Sequence, residues 1–297
     1  MIYVSQGHEH GIGIEVFLKS ILCLSKKDQK KFHLYIDQNS LEQNLITTKI
    51  SREELELNIT NISNSDHTFS DHSLKSCINN ISKGDLLITL PTSKDQLFHQ
   101  GVVQKGHTEF FRAFYGNQNI SMLFNFGPKS LLLLTDHIPI DEITKTITID
   151  LILKKVSLVL NDKSGVFKKF RKVIFSGINP HCGENGLLGN DENTITTAME
   201  TLRKDFPLVE FLGPFSGDFL YHHSQFEDEL LVYSSHDQGL SAFKGVNGLN
   251  GYNITLGLPF TRLSVDHGTA FEKYGKNTSN YSGCLSLLDK TLKLHEG

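Results

Sequence analysis

Short apolar runs alternate with longer segments of helical period along this chain, from its first residues to its last. Runs too short for helices and rich in Ile, Leu, Val and Phe predict buried strands at 2–5, 33–36, 85–90, 121–124, 131–135, 172–177, 230–233 and 252–256. Between them, apolar positions recurring every three or four residues predict helices at 13–23, 71–81, 108–115, 148–161, 192–204 and 279–293. Strands alternating with helices predict an α/β fold with a largely parallel sheet. The Asn- and Ser-rich stretch 58–71 reads as a surface loop, and no internal repeat or clean linker divides the chain.

The unusual residues fall just after predicted strands: Gly7-His8-Glu9-His10-Gly11, Asp136-His137, Asn179-Pro180-His181 and His236-Asp237-Gln238-Gly239. Ligand sites of open α/β sheets collect at the carboxyl ends of strands, which makes these loops candidates for one cleft. His137, His181 and His236 each sit in a turn with small or acidic neighbours. Three neutral imidazoles suit zinc or a similar divalent ion and leave positions open for a substrate. Taken singly, each also reads as a capping or surface histidine. The first loop either offers backbone N–H groups to an anion at a helix N-terminus or is a tight turn needing positive φ. Its glycine spacing is not G-x-G-x-x-G, so it carries no dinucleotide fingerprint. Lys244 and Arg262, on either side of Asn253, could clamp a phosphate through a point charge and a guanidinium fork, surface solvation being the plain alternative.

Composition narrows the classes. A net charge of -4 with 38% hydrophobic and 21% charged residues fits an ordinary soluble globule. The basic runs 26–27 and 168–172 are short and interrupted, so no nucleic-acid footprint is expected. The chain opens directly on a strand, and no apolar run reaches bilayer length; a cytoplasmic protein without membrane partners is expected. Cys23, Cys77, Cys182 and Cys284 are scattered with no C-x-x-C pair, which argues against a disulfide framework or a thiolate zinc site.

Longer motifs add a resemblance. NPHCGE at 179–184, HDQG at 236–239, NITLGLPFTR at 253–262 and SVDHGTA at 264–270 closely resemble the 4-hydroxythreonine-4-phosphate dehydrogenase family of vitamin B6 biosynthesis. PTSK at 91–94, GHTEFF at 106–111 and DHIPI at 136–140 are weaker matches in the family's order. The resemblance implies the isopropylmalate-dehydrogenase-like fold, with two interwoven α/β subdomains flanking a central active-site cleft and residues 1–297 forming one catalytic unit. It further implies a homodimer with shared active sites. It assigns the metal to His137, His181 and His236, one of them donated by the partner subunit, with zinc first and magnesium or cobalt as alternatives. Substrate-binding roles fall to His107, Thr108, Lys244, Asn253 and Arg262, and catalytic acid–base roles to Asp218 and Asp237. His267, Gly268, Thr269 and Ala270 would support the adenosine end of NAD or NADP. The reaction implied is oxidation of 4-phosphohydroxy-L-threonine followed by decarboxylation. A sister dehydrogenase acting on phospho-D-threonate or phospho-D-erythronate is the alternative, and a metal-dependent hydrolase or a binding protein on the same scaffold the more distant one. The family's opening motif reads G-D-P-x-G-I-G-P-E; here His8, Glu9 and Ile14 replace the Asp and both Pro residues.

Overall fold

The computed structural model describes residues 1–62, 68–167, 169–223 and 226–296. Residues 63–67 of the polar 58–71 stretch, and Lys168 of the basic run, lie outside the described residues. In chain order the strands are β1 (Ile2–Ser5), β2 (Phe32–Ile36), β3 (Asn58–Asn61), β4 (Leu86–Thr89), β5 (Leu97–His99), β6 (Val102–Gln104), β7 (Ser121–Phe126), β8 (Lys129–Leu133), β9 (Lys172–Ser176), β10 (Glu210–Phe215), β11 (Glu229–Tyr233), β12 (Tyr252–Leu256) and β13 (Thr261–Val265). The chain forms two compact units: Met1–Gln118 with Leu249–Gly297, and Asn119–Gly248.

In the first unit the strands run β12-β13-β4-β1-β2-β3, parallel except for the antiparallel pair β12/β13. β4 and β13 are buried at every position, as expected of strands covered on both faces. The helix Gly13–Leu22 buries Ile14, Val16, Phe17, Leu18 and Ile21 completely, and packs against the C-terminal helix Ser282–Glu296. Each such side chain contributes roughly 1.5–3 kcal/mol. The helix Phe69–Asn80 lies on β1 and β2, and its N-terminus is capped by Thr68, whose hydroxyl accepts the Asp71 N–H at 3.3 Å. β5 and β6 form a separate antiparallel hairpin.

The second unit has the order β10-β9-β11-β8-β7, again parallel except at one pair, β7/β8. Its core joins Phe124, Leu131, Leu133, Ile174, Leu231 and Tyr233 of the sheet to Leu240 and Phe243 of the helix His236–Asn247. The helices Ile149–Leu160 and Glu192–Asp205 pack against each other, the latter also against β10.

The predicted strands and helices all appear, with their ends moved by a few residues. The sheets are largely parallel, as the alternation predicts. The polar 58–71 stretch is corrected in part: Asn58–Asn61 pairs with β2 as an edge strand, where exposure on the outer side permits polar residues. HDQG is likewise the first turn of a helix rather than a free turn. No helix among the described residues is long and apolar enough to cross a membrane.

Candidate active site and metal centre

Strand register decides where the three histidines emerge. Leu133 of β8 is paired with Tyr233 of β11, and Val232 of β11 with Phe175 of β9. The segments following these neighbouring parallel strands therefore leave the sheet at the same carboxyl end, carrying His137, His236 and His181 respectively. Beyond β8 the pairing persists: Leu134 N–H donates to Tyr233 O at 2.8 Å, and the Thr135 hydroxyl to Ser234 O at 2.7 Å. The His137 and His236 rings end up 5.6 Å apart.

Two of the three histidines stand on strained backbone. His137 has φ 38°. His181 opens a left-handed run through Cys182, Gly183, Glu184 and Asn185, with φ values of 50, 56, 75, 44 and 55°. Non-glycine residues avoid this region because Cβ crowds the following carbonyl, at roughly 1–2 kcal/mol per residue in a left-handed helix. Such strain persists only where surrounding contacts impose it, and it concentrates at functional sites. At the His181 loop the buried Glu192 carboxylate anchors the residues that lead into the run. Its Oε1 accepts the Ile178 and Asn179 amides at 3.0 and 2.7 Å, and its Oε2 accepts Asn179 Nδ2 at 3.1 Å. Asn179 Nδ2 also donates to Asp191 at 2.9 Å. Gly183 is required twice over, by its positive φ and because a Cβ there would stand 2.4 Å from Gly189 O and 2.8 Å from Glu192 Oε2.

The histidine loops border two cavities. One, of about 440 Å³, is lined by Asp136, His137, Ser235, His236, Asp237 and Gln238 among others. The second, of about 340 Å³, is lined by His181, Ser216, Gly217, Asp218 and Gln238. Ile178 and Gln238 line both, so the cavities share a wall. Gln238 is fixed in it: Oε1 accepts the Ser176 hydroxyl at 3.0 Å and the Ser234 amide at 3.1 Å, and Nε2 donates to Gly177 O at 2.9 Å. Asp237 Oδ1 lies 2.6 Å from His236 Nδ1. A carboxylate on Nδ1 holds the proton there and leaves the Nε2 lone pair for a metal. The Asp218 carboxyl is held below its ordinary range, first by the Ser216 hydroxyl and further by the nearby His181. The structure thus pairs His137 with His236, and His181 with Asp218. It does not gather all three donor sets within one chain: among the described residues, the one group of three His, Cys, Asp or Glu donors lying within 4.8 Å of one another is His8, Glu9 and His10.

In the first unit, Arg262 lies in the middle of β13 and is 4% exposed. Its guanidinium donates from Nε and Nη2 to Thr89 Oγ1 at 3.0 and 2.7 Å, and from Nη1 to Thr255 Oγ1 at 2.8 Å. The Phe111 ring faces it at 5.8 Å. Burial brings its pKa down to about 9, which leaves it charged at neutral pH. No carboxylate among the described residues forms an ion pair with it, so a buried cation stands among hydroxyls and a ring, a setting that favours an anion. His107 begins the helix His107–Tyr115; packing around its ring, and secondarily the Arg262 charge, hold its pKa well below the usual imidazole value. Thr108 beside it is buried. Asn253 Oδ1 accepts the Ser264 hydroxyl at 2.6 Å. Lys244 belongs to the second unit, exposed in the last turn of the helix His236–Asn247.

The first loop resolves one open reading. Gly7 has φ 68°, and a Cβ there would lie 2.3 Å from Pro91 O. The His8, Gly11 and Ile12 amides already donate to Pro91 O, His8 O and Thr269 O, and the His10 amide to His8 Nδ1. The tight-turn reading is supported, and these four donors are already engaged within the turn. Glu15 is equally committed, accepting Lys19 Nζ at 2.7 Å and the Ser279 amide at 2.9 Å. The bond to Thr269 ties the loop to the His267, Gly268, Thr269, Ala270 segment, where His267 Nδ1 meets Gly268 O at 3.0 Å and Ala270 takes φ 44°. Glu192 and Gln238 are the supporting residues that sequence reasoning missed. Only a mid-chain carboxylate thirteen residues after Asn179 could have hinted at the first.

The family model described as pyridoxal phosphate biosynthetic protein PdxA matches residues 15–288 of this chain. The chain belongs to the PdxA family. A 4-hydroxythreonine-4-phosphate dehydrogenase of Sulfurihydrogenibium sp. is 35% identical over 216 residues, which are 71% of this chain and 66% of that protein. The enzyme of the same name from Wigglesworthia glossinidia brevipalpis is 33% identical over 273 residues, 91% of this chain and 78% of its own. This is therefore a chain of a dehydrogenase family. Over 99% of both chains it superposes on the crystal structure of a 4-hydroxythreonine-4-phosphate dehydrogenase from Klebsiella pneumoniae, with TM-score 0.81 and 23% identity. A β-decarboxylating dehydrogenase from Thermococcus kodakarensis shares the fold at TM-score 0.50 and 14% identity, over 97% of this chain and 82% of its own. The fold is the isopropylmalate-dehydrogenase-like α/β architecture that the resemblance implies.

Proposed function

We propose that this chain catalyses the NAD(P)-dependent, metal-assisted oxidation of 4-phosphohydroxy-L-threonine to 2-amino-3-oxo-4-phosphohydroxybutanoate, which decarboxylates to 3-amino-2-oxopropyl phosphate on the way to pyridoxal 5'-phosphate. The observation that carries this reading is the emergence of His137, His181 and His236 at one end of three neighbouring strands, two of them on left-handed backbone. Neutral imidazoles, one backed by a carboxylate, are a fitting donor set for zinc, with magnesium or cobalt as the alternatives. When bound, such an ion supplies Lewis-acid stabilisation of negative charge on a substrate oxygen.

The chain's own residues supply the rest. Asp237 orients His236, and Asp218, held in its ionised form by Ser216 and His181, is placed to accept the substrate's hydroxyl proton; a bound nicotinamide would supply the hydride acceptor. Arg262 supplies the charge for the substrate phosphate, with His107, Thr108, Lys244 and Asn253 as its companions. A phosphate held away from the reacting carbon converts binding energy into orientation. His267, Gly268, Thr269 and Ala270 would hold the adenosine end of the dinucleotide. Ile140, Leu187 and Phe219, exposed beside the histidine loops, are the apolar surface a homodimer would cover, bringing a partner's histidine to complete the metal set.

The test is NAD(P)H formation with 4-phosphohydroxy-L-threonine, phospho-D-threonate and phospho-D-erythronate, with and without chelator, alongside metal analysis. Replacing His181 with Ala should remove the equivalent of metal held by the three histidines, and activity with it; a variant lacking that equivalent but working at full rate would sink the mechanism. Preference for either sugar-acid phosphate would move the chain to the sister activity.

A further inference from the structure

We propose that His8, Glu9 and His10 form a second divalent transition-metal site, separate from the three-histidine centre. The donor atoms of these consecutive residues lie within 4.8 Å of one another. Their arrangement leaves a buried carboxylate oxygen without a partner, a place a cation would fill. His10 N–H donates to His8 Nδ1 at 3.1 Å, so a lone pair rather than a proton stands at that nitrogen. Glu9 Oε2 faces it at 3.5 Å, is sealed from solvent, and has no hydrogen-bond partner. The His8 Nδ1 lone pair is thus taken by the His10 amide, and Glu9 Oε2 is left without a partner, where a buried carboxylate oxygen ordinarily finds a donor; a cation would partner it and take the Nδ1 lone pair in place of the amide.

The backbone around this cluster is fixed. Gly7 is locked against the Leu90 and Pro91 carbonyls, and the His8, Gly11 and Ile12 amides are bonded to Pro91, His8 and Thr269. Aromatic edges hold the imidazoles: His8 meets the Phe271 ring at 4.8 Å and His10 the Tyr274 ring at 5.4 Å between centroids. A tetrahedral ion with bonds near 2.0–2.1 Å needs donors roughly 3.3 Å apart, so binding would require the side chains to rotate inward and His8 Nδ1 to exchange the His10 amide for the ion. Two imidazoles and one carboxylate select zinc, cobalt, nickel or ferrous iron over calcium or magnesium, and leave coordination positions open on the exposed His10 side.

The proposal does not depend on the assigned reaction, and metal stoichiometry separates the two. Chelator-stripped wild type, His10→Ala, Glu9→Gln and His236→Ala proteins are titrated with Co(II) and Zn(II), reading bound metal by mass spectrometry and the Co(II) visible spectrum. Urea midpoints are compared to confirm folding. Wild type should bind one more equivalent than His10→Ala, Glu9→Gln should weaken that equivalent by about tenfold or more, and His236→Ala should retain it. If the three-histidine centre alone were wrong, one equivalent would still be bound and lost with His10→Ala. Unchanged stoichiometry and affinity in both His10→Ala and Glu9→Gln overturns the proposal, as does failure of wild type to bind any ion insensitive to His236→Ala.

Discussion

Replacing Glu192 by Ala should release the His181 loop while leaving the sheet standing. The left-handed run contains four non-glycine residues, His181, Cys182, Glu184 and Asn185. At roughly 1–2 kcal/mol each, the run stores roughly 4–8 kcal/mol. Against it stand three hydrogen bonds into the Glu192 carboxylate, from the Ile178 amide, the Asn179 amide and the Asn179 side chain. Bonds to a charged acceptor contribute roughly 1.5–3 kcal/mol apiece, or roughly 4.5–9 kcal/mol together. The two sums are of the same size, so this one carboxylate supplies a large share of what holds the conformation, beside the Asn179–Asp191 bond and the loop's own backbone bonds. In the alanine variant the loop relaxes toward ordinary backbone, and His181 leaves its cavity.

Glu192→Gln refines the test, because the amide oxygen can keep the two backbone donors while its NH₂ confronts Asn179 Nδ2, at a cost of about 1–3 kcal/mol. Co(II) titration and kcat/KM should fall by about tenfold or more in the alanine variant and by less in the glutamine variant. Circular dichroism should stay native, since Glu192 sits in the first turn of its helix. An alanine variant with wild-type Co(II) affinity and wild-type kcat/KM would refute the argument that this carboxylate holds the site.

Two further outcomes follow from the first unit. Arg262→Met removes a buried cation that forms no ion pair among the described residues; the denaturation midpoint should hold or rise while kcat/KM falls by roughly 10- to 100-fold, and a stability loss with activity intact would contradict an anion-binding role. His107 has a depressed pKa when folded. Between that lowered value and about 6.5 the unfolded chain binds a proton that the folded chain refuses, so stability falls on acidification from pH 7 to 5. His107→Gln should flatten the slope by up to about 1.4 kcal/mol per pH unit, measured by urea denaturation across that window, and identical slopes in both proteins would show that the ring is not held neutral.

Strands such as Leu86–Thr89 and Glu229–Tyr233 were legible because burial on both faces leaves an unbroken apolar run. Thr261–Val265 was not, although it is equally buried, because a buried arginine interrupts the run and reads as surface. The helix Gln38–Thr48 escaped for the opposite reason: its face is mostly polar, and it is started by Asp37, whose carboxylate accepts the Ser40 amide at 2.8 Å. Of the candidate site, the loops were legible as Gly-, Asp- and Pro-flanked histidines following strands. Their supports were not, since nothing local marks Glu192 or Gln238 as partners of residues tens of ångströms of chain away.

The positions where local rules fail point to one physical theme. Arg262 inside a fully buried strand, His181 and Cys182 in left-handed backbone, and the unpartnered Glu9 oxygen beside His8 each raise the energy of the folded chain relative to an ordinary alternative. A methionine, a glycine-rich turn and an aspartate-proline step would each be easier to fold. Chains keep such violations where a ligand returns the energy, because the cost already present in the free protein need not be met again on binding. On the proposed readings the three features differ in sign: Arg262 would take an anion, and the histidine loops and the His8–Glu9–His10 turn would take cations. Phosphate or sulfate should therefore stabilise wild type but not Arg262→Met, and divalent metal should stabilise both alike, an orthogonality that a shared non-specific salt effect would not produce.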